Sequence, residues 1–174
     1  MRRTFTNRLI GFSALFLSVV LGGCDVGDKD VSSEPPYNGL IGHCYRFKVE
    51  LFLYKNEYSE HAYIGRYDDN LKFGDRTLPK VVDKKYIGQN YRGSSILGIV
   101  PAGATFTVKS VIRGVSSPDV VVKLVGEVFY EKNRIKDVSA IFVQSEVDGR
   151  DNRLPEIDKN IAGEIAPEST GGNQ

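Results

Sequence analysis

The 174-residue chain has no tryptophan, one methionine, two cysteines and two histidines. So few histidines leave little material for a Ser-His-Asp triad, and no G-x-S-x-G elbow, P-loop or dinucleotide fingerprint occurs. A metal site would have to draw on Glu57, Glu60 and His61, joined by His43 from a neighbouring strand. Its spacing matches no zinc signature, and adjacent residues such as Glu60 and His61 point to opposite faces of an extended chain. Carboxylates are plentiful, but only geometry separates a glycosidase pair from surface charge. The sequence therefore assigns no catalytic residue, no metal ligand and no cofactor. Charge of one sign is also lacking, with 23 basic against 22 acidic residues. This balance argues against a nucleic-acid partner, which would call for a strongly basic domain or stripe. Lys80, Lys84 and Lys85 form the one local basic cluster, which reads as a solvated face. Neither apolar spacing at three and four residues, nor a repeat, nor a coiled-coil seam runs through the chain.

What is present begins at the N-terminus. Arg2, Arg3 and Arg8 precede an apolar run, LIGFSALFLSVVL, from Leu9 to Leu21. Positive charge stays on the cytoplasmic side, and a run this long suits the h-region of a signal peptide. It falls short of the roughly 18 apolar residues of a spanning helix. Leu21, Gly22, Gly23 and Cys24 follow directly. This order resembles the lipobox of bacterial lipoproteins, in which Leu, a small residue, and Gly or Ala precede Cys. The resemblance implies cleavage between Gly23 and Cys24, diacylglyceryl attachment to the Cys24 thiol, and acylation of the new amino terminus by a chain such as palmitate. Several acyl chains make a stable anchor where one is marginal, at about 0.8 kcal/mol per buried methylene. Asp25 matches the residue that retains lipoproteins in the inner membrane of enteric bacteria, so the resemblance points to that membrane and to a periplasm-facing protein. Arg2-Arg3-Thr4-Phe5 partly resembles a twin-arginine signal, but its place directly after Met1 and the strongly apolar segment favour the general secretory route.

Removing residues 1–23, which hold three arginines and no acid, leaves 151 residues with 20 basic and 22 acidic groups, a formal charge of −2. That length suits one domain. Lipidation of Cys24 leaves Cys44 without an intrachain partner, and a single free cysteine reads as a small buried apolar residue. Residues 24–40 are rich in Asp, Ser, Pro and Gly and read as a flexible tether about 20 Å long. Residues 41–149 form the folded domain, and 150–174 read as a mostly disordered tail.

Within the domain, Tyr45, Phe47, Val49, Leu51 and Leu53 alternate with polar residues, which predicts one half-buried strand from His43 to Tyr54. His61 to Tyr67 reads as a second extended stretch. Residues 71–95 read as a long loop with a short strand near 80–82. Pro101-Ala102-Gly103, between Ile96 to Val100 and Thr105 to Ile112, gives the clearest hairpin signal. Val120 to Tyr130 and Val138 to Val147 complete about six strands, with Gly126 marking a bulge. The expected fold is all-β, a small barrel or sandwich. The stretch PAGATFTVKSVI is similar to the turn and strand of bacterial SH3-like modules.

Nine tyrosines include Tyr54, Tyr58, Tyr63, Tyr67, Tyr86 and Tyr91 in or beside loops. Such residues suit an interface as well as the rim of a small β core. Tyr58, Tyr63, Tyr67, Tyr86 and Tyr91, with the loop over 68–95, are the candidate surface for an envelope protein or cell-wall polymer. Two other readings stand beside this non-catalytic binding domain: an immunity lipoprotein that neutralises a toxin delivered into the periplasm, and a cell-wall or carbohydrate-active enzyme.

Overall fold

The computed structural model describes residues 28–57, 59, 61–69, 74–116, 119–140, 143–144 and 154–166. Gly23, Cys24, Asp25 and Tyr58 lie outside the described residues, as do Glu60 and the residues before Gly23 that were read as a signal segment.

The described chain is all-β. Its twelve strands are β1 (Lys29–Asp30), β2 (Cys44–Phe47), β3 (Leu51–Asn56), β4 (Ala62–Gly65), β5 (Asn90–Tyr91), β6 (Ser94–Val100), β7 (Thr105–Ser116), β8 (Asp119–Tyr130), β9 (Asn133–Ala140), β10 (Val143–Gln144), β11 (Glu156–Ile157) and β12 (Ala162–Ile165). Short 3₁₀ turns cover Tyr37–Leu40 and Lys84–Tyr86. Ten strands make one sheet in the order β12-β2-β7-β8-β9-β4-β3-β6-β5, with β1 added against β7. The sheet does not close into a barrel, because β12 and β5 end the path. It holds more strands than the six read from the sequence, since short strands from the expected tether, long loop and tail join it.

The long antiparallel β7-β8 hairpin, twelve residues on each side, forms the spine. Its core face carries Phe106, Val108, Val111, Val122, Leu124 and Val128, all at most 2% exposed. Lys109 is an extra residue in the register with β8, so Val108 and Val111 both face inward. Gly126 sits on this face opposite Val108, at a register irregularity with β9. A Cβ there would lie 2.1 Å from the Thr107 carbonyl oxygen and 2.8 Å from the Phe106 ring. The aromatic ring thus fills the space a side chain would need. Gly126 stands beside two irregularities, but the extra residues lie on the neighbouring strands, Lys109 on β7 and one of Lys136 and Asp137 on β9, so the glycine marks a bulge without being the bulged residue.

Several features differ from the sequence reading: no strand forms near 80–82, and β9 begins at Asn133 instead of Val138. The stretch from His43 to Tyr54 is two strands, not one. Backbone bonds from Phe47 N to Ala104 O, from Gly103 N to Phe47 O and from Lys48 N to Ile161 O hold the corner, after which β3 leaves to pair with β4 and β6. Alternation reported burial correctly, but pairing partners decide where a strand ends. Next, the turn at 101–104 joins two strands that do not pair with each other: β6 pairs with β3 and β5, and β7 with β1, β2 and β8. Its groups bond to β2 instead of closing a hairpin.

The tether ends earlier than the sequence suggested. From Lys29 onward the chain is bound to the domain: β1 pairs with β7, Val31 N donates to Val111 O at 2.9 Å, and Val31, Tyr37 and Leu40 enter the main core. Polar composition concealed three widely spaced apolar anchors, each contributing on the order of 1.5–3 kcal/mol when fully buried. The tail is also partly folded. Ile161 and Ala162 are 1% exposed, and β12 pairs along the whole of β2.

Two buried clusters result. The main one spans β2, β7, β8 and β9 and includes Leu51 and Ile64, while Phe52, Tyr54, Leu78 and Ile96 form a second. Strand β3 is buried on both faces because it divides these clusters. Cys44 is free and buried, as read from the sequence.

Candidate functional site

The second cluster explains the tyrosines. Tyr63, Tyr67 and Tyr86 pack against Phe52, Tyr54, Leu78 and Ile96, and Tyr91 meets Tyr86 edge to face with ring centroids 5.9 Å apart. Four of the five candidate tyrosines are therefore gathered at one place, where Tyr63 and Tyr67 meet Tyr86 and Tyr91 of the segment 74–92. Register explains the first contact: Tyr54 on β3 lies opposite Tyr63 on β4, and their rings sit 5.6 Å apart. Phe52 meets Tyr86 edge to face at 6.3 Å.

The segment 74–92 is mostly without regular structure, yet a polar network ties it to the sheet. Tyr54, 0% exposed, donates its hydroxyl to Asp75 Oδ2 at 3.0 Å. Burial, and then the neighbouring Asp75 carboxylate, hold the Tyr54 phenol far above its ordinary pKa, so it stays a donor. Asp75 Oδ1 accepts from both the amide and the hydroxyl of Thr77, each at 2.7 Å. Thr77 Oγ1 lies 2.7 Å from Ser94 Oγ, and buried Ser94 donates to Asn56 Oδ1 at 2.7 Å. The network runs from β3 through the loop to β6 and back, satisfying the polar groups it buries. At its far end Asp83 caps the 3₁₀ turn by accepting from Lys85 N.

The outer surface of this segment sets cations over aromatic rings, and both lysines also stand near a carboxylate, Lys80 Nζ 3.9 Å from Asp69 Oδ2 and Lys85 Nζ 3.2 Å from Asp83 Oδ2. Lys80 Nζ sits 5.1 Å from the Tyr67 ring centroid, Lys85 Nζ 5.0 Å from that of Tyr86, and the Arg92 guanidinium 5.4 Å from that of Tyr91. Tyr67 donates to Asp69, which raises its pKa first through that hydrogen bond. Residues 74–92 carry five basic and two acidic side chains. Exposed apolar side chains stand beside them: Val81 at 68%, Ile87 at 44% and, from β6, Leu97 at 50%. The arrangement combines rigid backbone, positive charge and apolar contacts, which suits recognition of an acidic surface. Lys80 and Lys85 are largely exposed, as the solvated reading had it, at 71% and 64%, and both also lie over tyrosine rings.

Two clefts lie elsewhere. One, of about 610 Å³, is lined by Asp28, Asp30, His61, Tyr63, Lys123 and Ser139, where β1 and the start of β4 approach across β8. The other, of about 410 Å³, lies along β12 beside Tyr45, Lys48 and Lys159. Burial, and then the Glu164 charge, push the Tyr45 phenol up to about 12. His43 and His61 do not converge. His43 precedes β2, where its Nδ1 lies 2.8 Å from Glu164 Oε1, whereas His61 precedes β4, with β7, β8 and β9 between those strands. Among the described residues no group of three His, Cys, Asp or Glu could hold a metal ion.

Comparison with known proteins finds no matching family model, no matching curated protein and no matching solved structure.

Proposed function

We propose that this chain is a lipid-anchored, periplasm-facing binding domain of the bacterial cell envelope, without catalytic activity. Its 74–92 face receives an acidic surface of a partner protein. The lipobox-like Leu21, Gly22, Gly23 and Cys24 support the anchor, and Asp25 favours the inner membrane. One observation carries the binding reading. The segment 74–92, which has little backbone pairing of its own, is fixed by the buried Tyr54, Asp75, Thr77 and Ser94 network while it presents Lys80, Lys85 and Arg92 over tyrosine rings. A surface ordered in advance binds at lower entropic cost.

The test is capture of the partner from solubilised envelopes by the full lipoprotein. Reversing charge with Lys84→Glu and Lys85→Glu should lower recovery about tenfold, and rising salt should weaken the unaltered pair. Equal recovery by the reversed and unaltered proteins would refute the reading.

A further inference from the structure

The N-terminal end of the described chain sets how close the domain lies to the anchor. Asp28 is held on two sides. Its Oδ2 accepts from Lys123 Nζ on β8 at 3.0 Å, and its Oδ1 lies 2.7 Å from the point where a Cβ of Gly114 would stand. Only glycine at 114 lets the carboxylate rest against β7. Directly after it, Lys29 pairs with Arg113 and Asp30 with Ile112. Asp30 also accepts from the amide of Ser32 at 2.8 Å, and Ser32 Oγ accepts from Val111 N at 2.8 Å. Val31, 0% exposed, closes the attachment.

We infer that the end of the β7-β8 hairpin that carries Asp28 and Lys123 on one face of the sheet and Lys29 and Arg113 on the other rests on the lipid headgroup layer. This rests on lipidation of Cys24, proposed above. Three residues lie between Cys24 and Asp28, and four steps of an extended chain at about 3.6 Å each put the Asp28 backbone within about 14 Å of that of the acylated cysteine. That is shorter than the headgroup region plus a domain radius, so the bilayer meets this end of the β7-β8 hairpin. The other end of the hairpin, at Glu131 and Lys132, is a ruler. Thr105, opposite Phe129, lies eight residues along β7 from Arg113, about 26 Å at the rise of a strand. The chain is thus a domain seated on the membrane rather than one floating on a long tether.

The test uses the full acylated protein in phospholipid vesicles carrying a quencher at headgroup level. A fluorophore is attached at Arg113→Cys in one sample and at Lys132→Cys in another. Cys44, being buried, stays unlabelled in the folded protein, which the unsubstituted chain verifies. Quenching at 113 should exceed quenching at 132 several-fold. Inserting about 20 Gly and Ser residues after Asp25, a coil of about 25 Å, should bring the two signals together. Equal quenching without the insert, in protein that floats with the vesicles, overturns the seated geometry and leaves the anchor intact. Failure of the protein to associate with vesicles at all overturns the anchor and this inference together.

Discussion

The hydroxyl of Tyr54 donates to Asp75 Oδ2 at 3.0 Å, linking a fully buried strand residue to a segment that forms almost no strand pairing. Through that contact the candidate binding face inherits the rigidity of β3. Tyr54→Phe keeps the ring and removes the donor, leaving the Asp75 carboxylate short of one partner. The expected cost is about 1–3 kcal/mol in urea unfolding. Amide exchange over 75–92 should rise more than exchange in β7 and β8. A uniform rise across the sheet would show that the contact supports general stability and does not specifically order the segment.

Gly126 should tolerate no side chain. An added Cβ would press on the Thr107 carbonyl and on the Phe106 ring together, and neither is the free end of a flexible chain. Gly126→Ala is expected to destabilise the domain by about 3 kcal/mol or more. Denaturant midpoints measure this directly.

The folded part of the tail makes a separate expectation. Ile161, 1% exposed, packs in the main core, and its neighbour Ala162 begins β12. Ile161→Ala should cost about 2–5 kcal/mol, measured by the same unfolding experiment. A change within about 0.5 kcal/mol would mean that 154–166 is not part of the core.

Acid sensitivity should arise in part at Glu127. Partial burial opposes its charge, but the hydrogen bond and charge of Arg134, at 2.7 Å, with Lys109 and Lys136, outweigh it and hold the carboxyl below its ordinary value of 4.5. A folded pKa below the unfolded one means stability that is full above about 4.5 and is lost as pH falls through the lowered value. Glu127→Gln should therefore flatten the acid limb of the stability profile below pH 4.5 while leaving the slope above pH 6 unchanged. A parallel downward shift at every pH would assign Glu127 a packing role instead.

Much of the spine was legible in the sequence, because the valines of β8 and the alternation of Phe106 and Val108 carry the two-residue period of a half-buried strand. Gly126 was legible as the mark of a bulge, although the extra residues lie on β7 and β9, the strands on either side of it. The attachment of 29–40 was not, because Val31, Tyr37 and Leu40 follow no period and sit among polar residues. Turn chemistry at 101–103 gave a real turn and a wrong pairing: Pro and Gly specify how the chain bends, and Phe47 on a distant strand decides what the turn meets. The tyrosines were recognised as a set, but sequence could not show that Asp75 and Ser94 fasten a loop to them. That link depends on 3 Å contacts between residues some 20 or 40 positions apart.

Anchoring itself is tested by Cys24→Ala, which should move the protein from the membrane to the soluble envelope fraction. Unaltered fractionation would remove the basis for the anchor.

The most direct test of the binding account is photocrosslinking in intact cells, with a photoreactive residue placed at Val81, at Ile87 and, as the distant control, at Lys132. The account expects one dominant envelope protein captured from 81 and 87 and far less from 132. Capture from 132 with none from 81 or 87 would contradict it.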